Sequence, residues 1–132
     1  MRYYCPHLVY STAIPPAMLA GICKVIEIME KEFPQISSRM WKYKRILTDG
    51  LKKAGFTLTD AEAPITSIIG GSCEDTLYIS KELYEQCILS TPFVEPSVPP
   101  NQGTIRLIAG ANLSEETVRT AVERISSLAV KA

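Results

Sequence analysis

The chain has 132 residues, 46% of them hydrophobic, and its 14 basic and 14 acidic residues give a formal net charge of zero. That length fits one domain able to bury roughly two thirds of its unfolded surface. The balanced charge argues against a nucleic-acid partner and against a disordered tail.

Cys5, Cys23, Cys73 and Cys87 lack C-x-x-C spacing and His7 is the single histidine, so no zinc site is expected and the cysteines fit a reduced, cytoplasmic protein. The apolar run over 13–25 is interrupted by Pro15, Pro16, Gly21 and Lys24, and predicts neither a membrane span nor a signal peptide.

In chain order, residues 3–10 carry aromatic and β-branched side chains without a helical period, and with 11–16 they predict an extended lead-in. Pro16 is placed to open a helix. Met18, Leu19, Ile22, Val25, Ile26 and Met29 then recur at three- and four-residue spacing until Phe33 and Pro34, where this helix is predicted to stop. A second helix is predicted from about 35 or 37 to 54, with Met40 or Trp41, Tyr43 or Lys44, Leu47 and Leu51 on its apolar face. Lys52 and Lys53 in its last turn and Gly55 beyond it mark a helix C-terminus. Residues 56–59 and 64–69 predict two short strands, the second closing at Gly70 and Gly71.

Ser72 is placed to cap a third helix with Glu74 and Asp75 in its first turn. Its inward positions are expected to be Leu77, Ile79 or Ser80, Leu83 and Tyr84, and its end lies near Gln86. After a short apolar stretch over 87–89, Pro92, Pro96, Pro99 and Pro100 stiffen the approach to a strand over 104–109. Ser114 caps a last helix with Glu115 and Glu116 at its positive end and Val118, Ala121 or Val122, Ile125 and Leu128 along one face. The order is α, α, β, β, α, β, β, α: an α+β fold with helices covering a small, mostly antiparallel sheet.

Arg106 is the candidate functional residue that the pattern singles out. It lies between Ile105 and Leu107, so if those two pack inward it must face outward, because successive strand residues alternate between faces. A guanidinium offers a planar fork of donors that grips both oxygens of a carboxylate. An ordinary solvated arginine on an exposed sheet face carries the same local pattern.

Four segments, in order, resemble the C-terminal small domain of the α-oxoamine synthases, pyridoxal 5′-phosphate enzymes with the aspartate-aminotransferase type of fold. Residues 8–16, Leu-Val-Tyr-Ser-Thr-Ala-Ile-Pro-Pro, resemble the family's F/Y-S-T-x-x-P-P run. Residues 41–56 resemble its L-W-x-x-x-x-x-L-x-x-G-L-x-x-x-G-F helix, 64–70 its T-P-I-x-P-x-x-x-G strand, and 93–107 its P-[ST]-V-P … R-[LIV]-R approach. Within the family, Ser-Thr-Ala-Ile-Pro-Pro is most similar to the branch that condenses L-alanine with a pimeloyl thioester in biotin synthesis.

The resemblance implies a cytoplasmic, homodimeric parent acyltransferase in which the cofactor is the electron sink for decarboxylative condensation of an amino acid with an acyl thioester. It assigns Arg106 to the amino-acid carboxylate and Ser97 to a substrate contact. It assigns Ser11 and Thr12 to the cofactor phosphate of the neighbouring subunit. Read from the residues alone, Ser97 is equally a turn hydroxyl, and Ser11 and Thr12 equally satisfy backbone ahead of Pro15 and Pro16. Residues 1–16 would be a lead-in packed on the large domain and the dimer partner, and 17–132 the small domain.

Two departures qualify the match. Ala111-Asn112 stands where many relatives have histidine after A-A. The Schiff-base lysine, the aspartate that pairs the pyridinium nitrogen and the ring-stacking aromatic residue belong to a larger domain, and no lysine here lies in a matching motif. The isolated chain is therefore expected to be inactive and to hold no covalent cofactor. The other readings are 2-amino-3-ketobutyrate CoA ligase or another member of the family, and a free-standing binding module without chemistry.

Overall fold

The computed structural model describes Tyr4 and residues 13–59 and 61–129. The chain divides into two compact units, Met1–Gln35 and Ile36–Ala132. The first helix, α1 (Pro16–Lys53), carries Pro34 in its interior. The predicted stop at Phe33 and Pro34, and with it the separation into two helices, is thus corrected. A proline deletes one amide donor and crowds the carbonyl four residues back, which costs about 3 kcal/mol. Lys31, Glu32 and Gln35 around it are good helix formers, and the chain stays helical through the interruption.

Within the first unit every described residue from 13 to 35 is exposed, including the periodic apolar residues Met18, Leu19, Ile22, Val25, Ile26, Met29 and Phe33. Their spacing forms the stripe expected of a packed helix, yet none of the described residues of this unit covers it.

The second unit holds the core. Tyr43, Leu47 and Leu51 of α1 are buried, as their spacing predicts, and Gly55 takes φ +93° just past the helix end while the Phe56 amide donates to the Leu51 carbonyl at 3.1 Å. A three-stranded sheet of β1 (Ile65–Gly71), β2 (Thr91–Phe93) and β3 (Gly103–Ile108) follows the order β1-β3-β2, antiparallel throughout. Helices α2 (Cys73–Glu85) and α3 (Glu115–Ala129) complete it.

The predicted strand over 56–59 is reduced to a single bridge between Leu58 and Ile68. It is held by the Thr59 amide on the Ser67 carbonyl and the Ile69 amide on the Thr57 carbonyl. The strand that the predicted order sets between α2 and the arginine-bearing strand lies at Thr91–Phe93, just beyond the apolar stretch over 87–89, because residues 86–88 are taken up in closing α2.

On the inner sheet face Thr66 and Ile68 of β1 register with Leu107 and Ile105 of β3, all four buried. Leu83, Val118 and Ile125 close the core from the helices. Leu77 and Tyr84, expected inward on α2, are instead exposed; its buried positions are Thr76 and Leu83. Thr76 is selected by close approach: a Cβ on Gly103 would strike its side chain and the Gly71 carbonyl. Its hydroxyl donates to the Ser72 carbonyl at 2.7 Å.

Both predicted caps form. Ser72 accepts from the Asp75 amide at 3.1 Å and Ser114 from the Thr117 amide at 3.0 Å. Helix α2 ends with the Cys87 amide on the Tyr84 carbonyl and the Ile88 amide on the Leu83 carbonyl, both 2.9 Å. That paired arrangement wants a left-handed residue at its centre, and Cys87 supplies it at φ +60° where glycine is usual.

Glu115 of α3 meets Lys42 of α1 at 2.6 Å and Arg119 at 2.7 Å. Hydrogen bonding from Lys42, then from Arg119, holds its carboxyl below the ordinary value of 4.5.

Two outcomes follow. Cys87→Gly removes a left-handed penalty of about 1–2 kcal/mol and adds about 0.5–1 kcal/mol of backbone entropy cost, for a net gain of up to about 1.5 kcal/mol, visible as a raised urea midpoint. A folded-state pKa lowered below its unfolded value contributes stability above the unfolded value and loses it as pH falls through the folded one. Glu115→Gln should therefore unfold at lower urea than the parent chain at pH 7, and the gap should close as pH falls through and below 4.5.

Candidate functional site

The outer face of the sheet is set by the same register that builds the core. Arg106 of the central strand β3 lies opposite Ser67 of β1 on one side and Thr91 of β2 on the other. Ile65 and Ile108, Ile69 and Thr104, and Phe93 and Thr104 complete the outward pairs. Alternation along β3 is unbroken: Gly103, Ile105 and Leu107 are buried, while Arg106 and Ile108 are exposed.

Among the described residues Arg106 enters no ion pair and donates no hydrogen bond. It lies instead over the Phe93 ring, whose centroid is 4.2 Å from the guanidinium carbon. Phe93 reaches it diagonally from the next strand, a separation within range of an aromatic side chain. The flanking hydroxyl residues Ser67 and Thr91 are neutral, so the face carries one positive charge in a setting of hydroxyls and apolar side chains. Such a surface offers a small anion a directed pair of donors and, among its described residues, no competing carboxylate.

Ser97 lies in the loop that joins β2 to β3, exposed, with its amide donating to the Val94 carbonyl at 2.9 Å. The loop springs from the Phe93–Thr104 pair, one step along the face from Arg106. No hydrogen bond joins Ser97 to Arg106. Ser11 and Thr12 lie outside the described residues. Phe93, Ser67 and Thr91 were not selected by sequence reasoning, because cross-strand register, which brings them beside Arg106, is not written in local spacing.

Two adjoining hollows of about 320 and 250 Å³ open elsewhere, between the end of α2 and helix α3, and share Cys87, Ile88, Thr117 and Ala121. Neither includes Arg106 or Ser97. The cation there, Arg124, already donates to the Gln86 carbonyl at 3.0 Å. The open sheet face is the better anion site on that ground. Among the described residues no cluster of side chains suits a metal ion, and no helix is long and apolar enough to cross a membrane.

Residues 2–125 match the model of the family described as aminotransferase class I and II. The chain belongs to that family. Its resemblance to the α-oxoamine synthases holds against individual relatives too. The 8-amino-7-oxononanoate synthase of Treponema denticola is 32% identical over 114 residues, 86% of this chain and 29% of that protein.

Among solved structures, serine palmitoyltransferase from Sphingomonas wittichii superposes with TM-score 0.87 at 23% identity, covering 96% of this chain and 32% of that one. The 8-amino-7-oxononanoate synthase from Francisella tularensis does so with TM-score 0.75 at 21% identity, covering 95% and 36%. At these identities the structures establish the fold, that of fold type I pyridoxal-phosphate enzymes. The chain spans under a third of the length of its Treponema relative.

Proposed function

We propose that the chain is the C-terminal small domain of a pyridoxal 5′-phosphate-dependent C-acyltransferase, one that joins L-alanine to a pimeloyl thioester with loss of carbon dioxide, as in biotin synthesis. The observation that carries this reading is Arg106, an outward guanidinium that has no acidic mate among the described residues of an open sheet face. The cofactor, when bound in the parent, supplies the electron sink. The task of this chain is to hold the amino-acid carboxylate so that the reacting bonds are correctly oriented, which is where positioning contributes to rate.

Arg106 suits that task through two coplanar donors whose spacing matches the two oxygens of a carboxylate. Ser97, on the loop beside the same edge of the face, is the second substrate contact in this proposal. Ser11 and Thr12 are assigned to the cofactor phosphate across a homodimer interface in a cytoplasmic parent, and the Schiff-base lysine to the part of the parent outside this chain. On this reading residues 1–16 are the lead-in and 17–132 the domain proper, and the isolated chain is inactive.

The exposed apolar stripe over 18–33 and the apolar fringe of the sheet face support the same view from packing. Surfaces of this kind usually have a partner in a larger assembly. A second reading, serine palmitoyltransferase or another α-oxoamine synthase with different substrates, draws support from the fit to the Sphingomonas structure.

Grafting this chain in place of the corresponding segment of the Treponema denticola enzyme provides the test. The chimera should release carbon dioxide from L-alanine and pimeloyl-CoA, and Arg106→Ala should lower kcat/KM for the amino acid about 10²-fold. A folded, cofactor-loaded chimera indifferent to that substitution would refute the assignment. Preference for serine and palmitoyl-CoA would favour the second reading.

A further inference from the structure

We propose that Phe93 is a positioning residue that sets the carboxylate-binding arginine in place by stacking on it; this rests on the reading of Arg106 given above. The guanidinium is planar, with its N–H donors directed outward in the plane and its π face free for contact above and below. An aromatic ring 4.2 Å away engages the cation through its face, by the attraction between positive charge and ring quadrupole. A carboxylate engages it through its edge. The two partners therefore do not compete, and Phe93 restrains the side chain without consuming the donors that the substrate needs.

An acidic or carbonyl partner would have done the opposite, and among the described residues Arg106 has neither. A free arginine side chain is rotamer-rich, and holding it in advance lowers the ordering cost of binding.

Fold and position support the assignment together. β2 has only three residues, and its pairing with β3 places Phe93 opposite Thr104 and on the diagonal to Arg106. Phe93 is partly buried, so its ring has a defined seat, while Arg106 is exposed and gains its order from that ring. Pro92, registered with Ile105, lies on the inner side of the same strand. The strand thus serves to carry one aromatic ring to one cation.

The experiment uses the 132-residue chain at low ionic strength with acetate as the probe, following the Arg106 Nε–H signal and neighbouring amides by NMR. In the unsubstituted chain the Arg106 side-chain protons should be shifted upfield by the ring and should respond saturably to acetate. Phe93→Leu, which keeps an apolar side chain but no π face, should abolish the upfield shift and weaken acetate binding roughly two- to fivefold. Phe93→Trp should retain binding within roughly twofold or tighten it, because indole is the strongest cation–π partner.

Amide spectra of each variant establish that the sheet is intact. If Phe93→Leu binds acetate as well as the unsubstituted chain, or if Leu and Trp weaken it equally, the stacking role is overturned while Arg106 keeps its own. Acetate binding unchanged by Arg106→Ala would instead overturn the reading of Arg106 itself.

Discussion

The central position of β3 is the constraint on which the second unit depends. It is hydrogen-bonded on both sides, so its register with β1 and β2 decides which residues of all three strands enter the core. With Ile105 and Leu107 inward, Arg106 is outward; a slip of one residue would exchange them. The exchange would bury a guanidinium with no acid to receive it and expose two aliphatic side chains, a combination that folding does not tolerate. Gly103 fixes the same register sterically, since the Thr76 side chain and the Gly71 carbonyl fill the space where any Cβ would go. Core packing and presentation of the cation are therefore one structural fact.

Each unit also leaves apolar surface uncovered. In the first, the residues that make α1 amphipathic over 18–33 are all exposed. In the second, Ile69 and Ile108 fringe the outer sheet face. A helix stripe of this kind is ordinarily selected by a surface that it packs against, because intrinsic propensity alone rewards any good helix former. Both faces are of the kind that the proposed larger assembly would cover.

Much of this was legible in the sequence, and what was not shares a cause. The caps at Ser72 and Ser114, the glycine stop at Gly55, and the buried rows Tyr43, Leu47, Leu51 and Val118, Ile125 are local patterns with local physics, and the structure contains each of them. Pro34 misled because a helix break is a bias and not a rule. Leu77 and Tyr84 misled because their hydrophobicity suggested burial, whereas the small, polar Thr76 fits the tight gap beneath Gly70 and Gly103. For the site, the outward direction of Arg106 could be read from its two neighbours, but its contact with Phe93 could not. That contact depends on the register of two strands separated by a loop, and a single sequence does not specify it.

The charge distribution limits what Arg106 can recognise. Net charge is zero, so no broad field gathers anions toward the molecule, and selectivity must come from donors aimed at short range. Several other cations are paired: Lys24 with Glu27, Lys42 and Arg119 with Glu115, Lys81 with Glu85. A polyphosphate or nucleic-acid backbone is held by several cations acting together, and the outer sheet face offers only one among its described residues. One guanidinium among hydroxyl, aromatic and aliphatic side chains can direct its donors at one small anion at a time. A short-range, single-cation face of this kind is therefore consistent with the small carboxylate of the proposal and poorly suited to a polyanion.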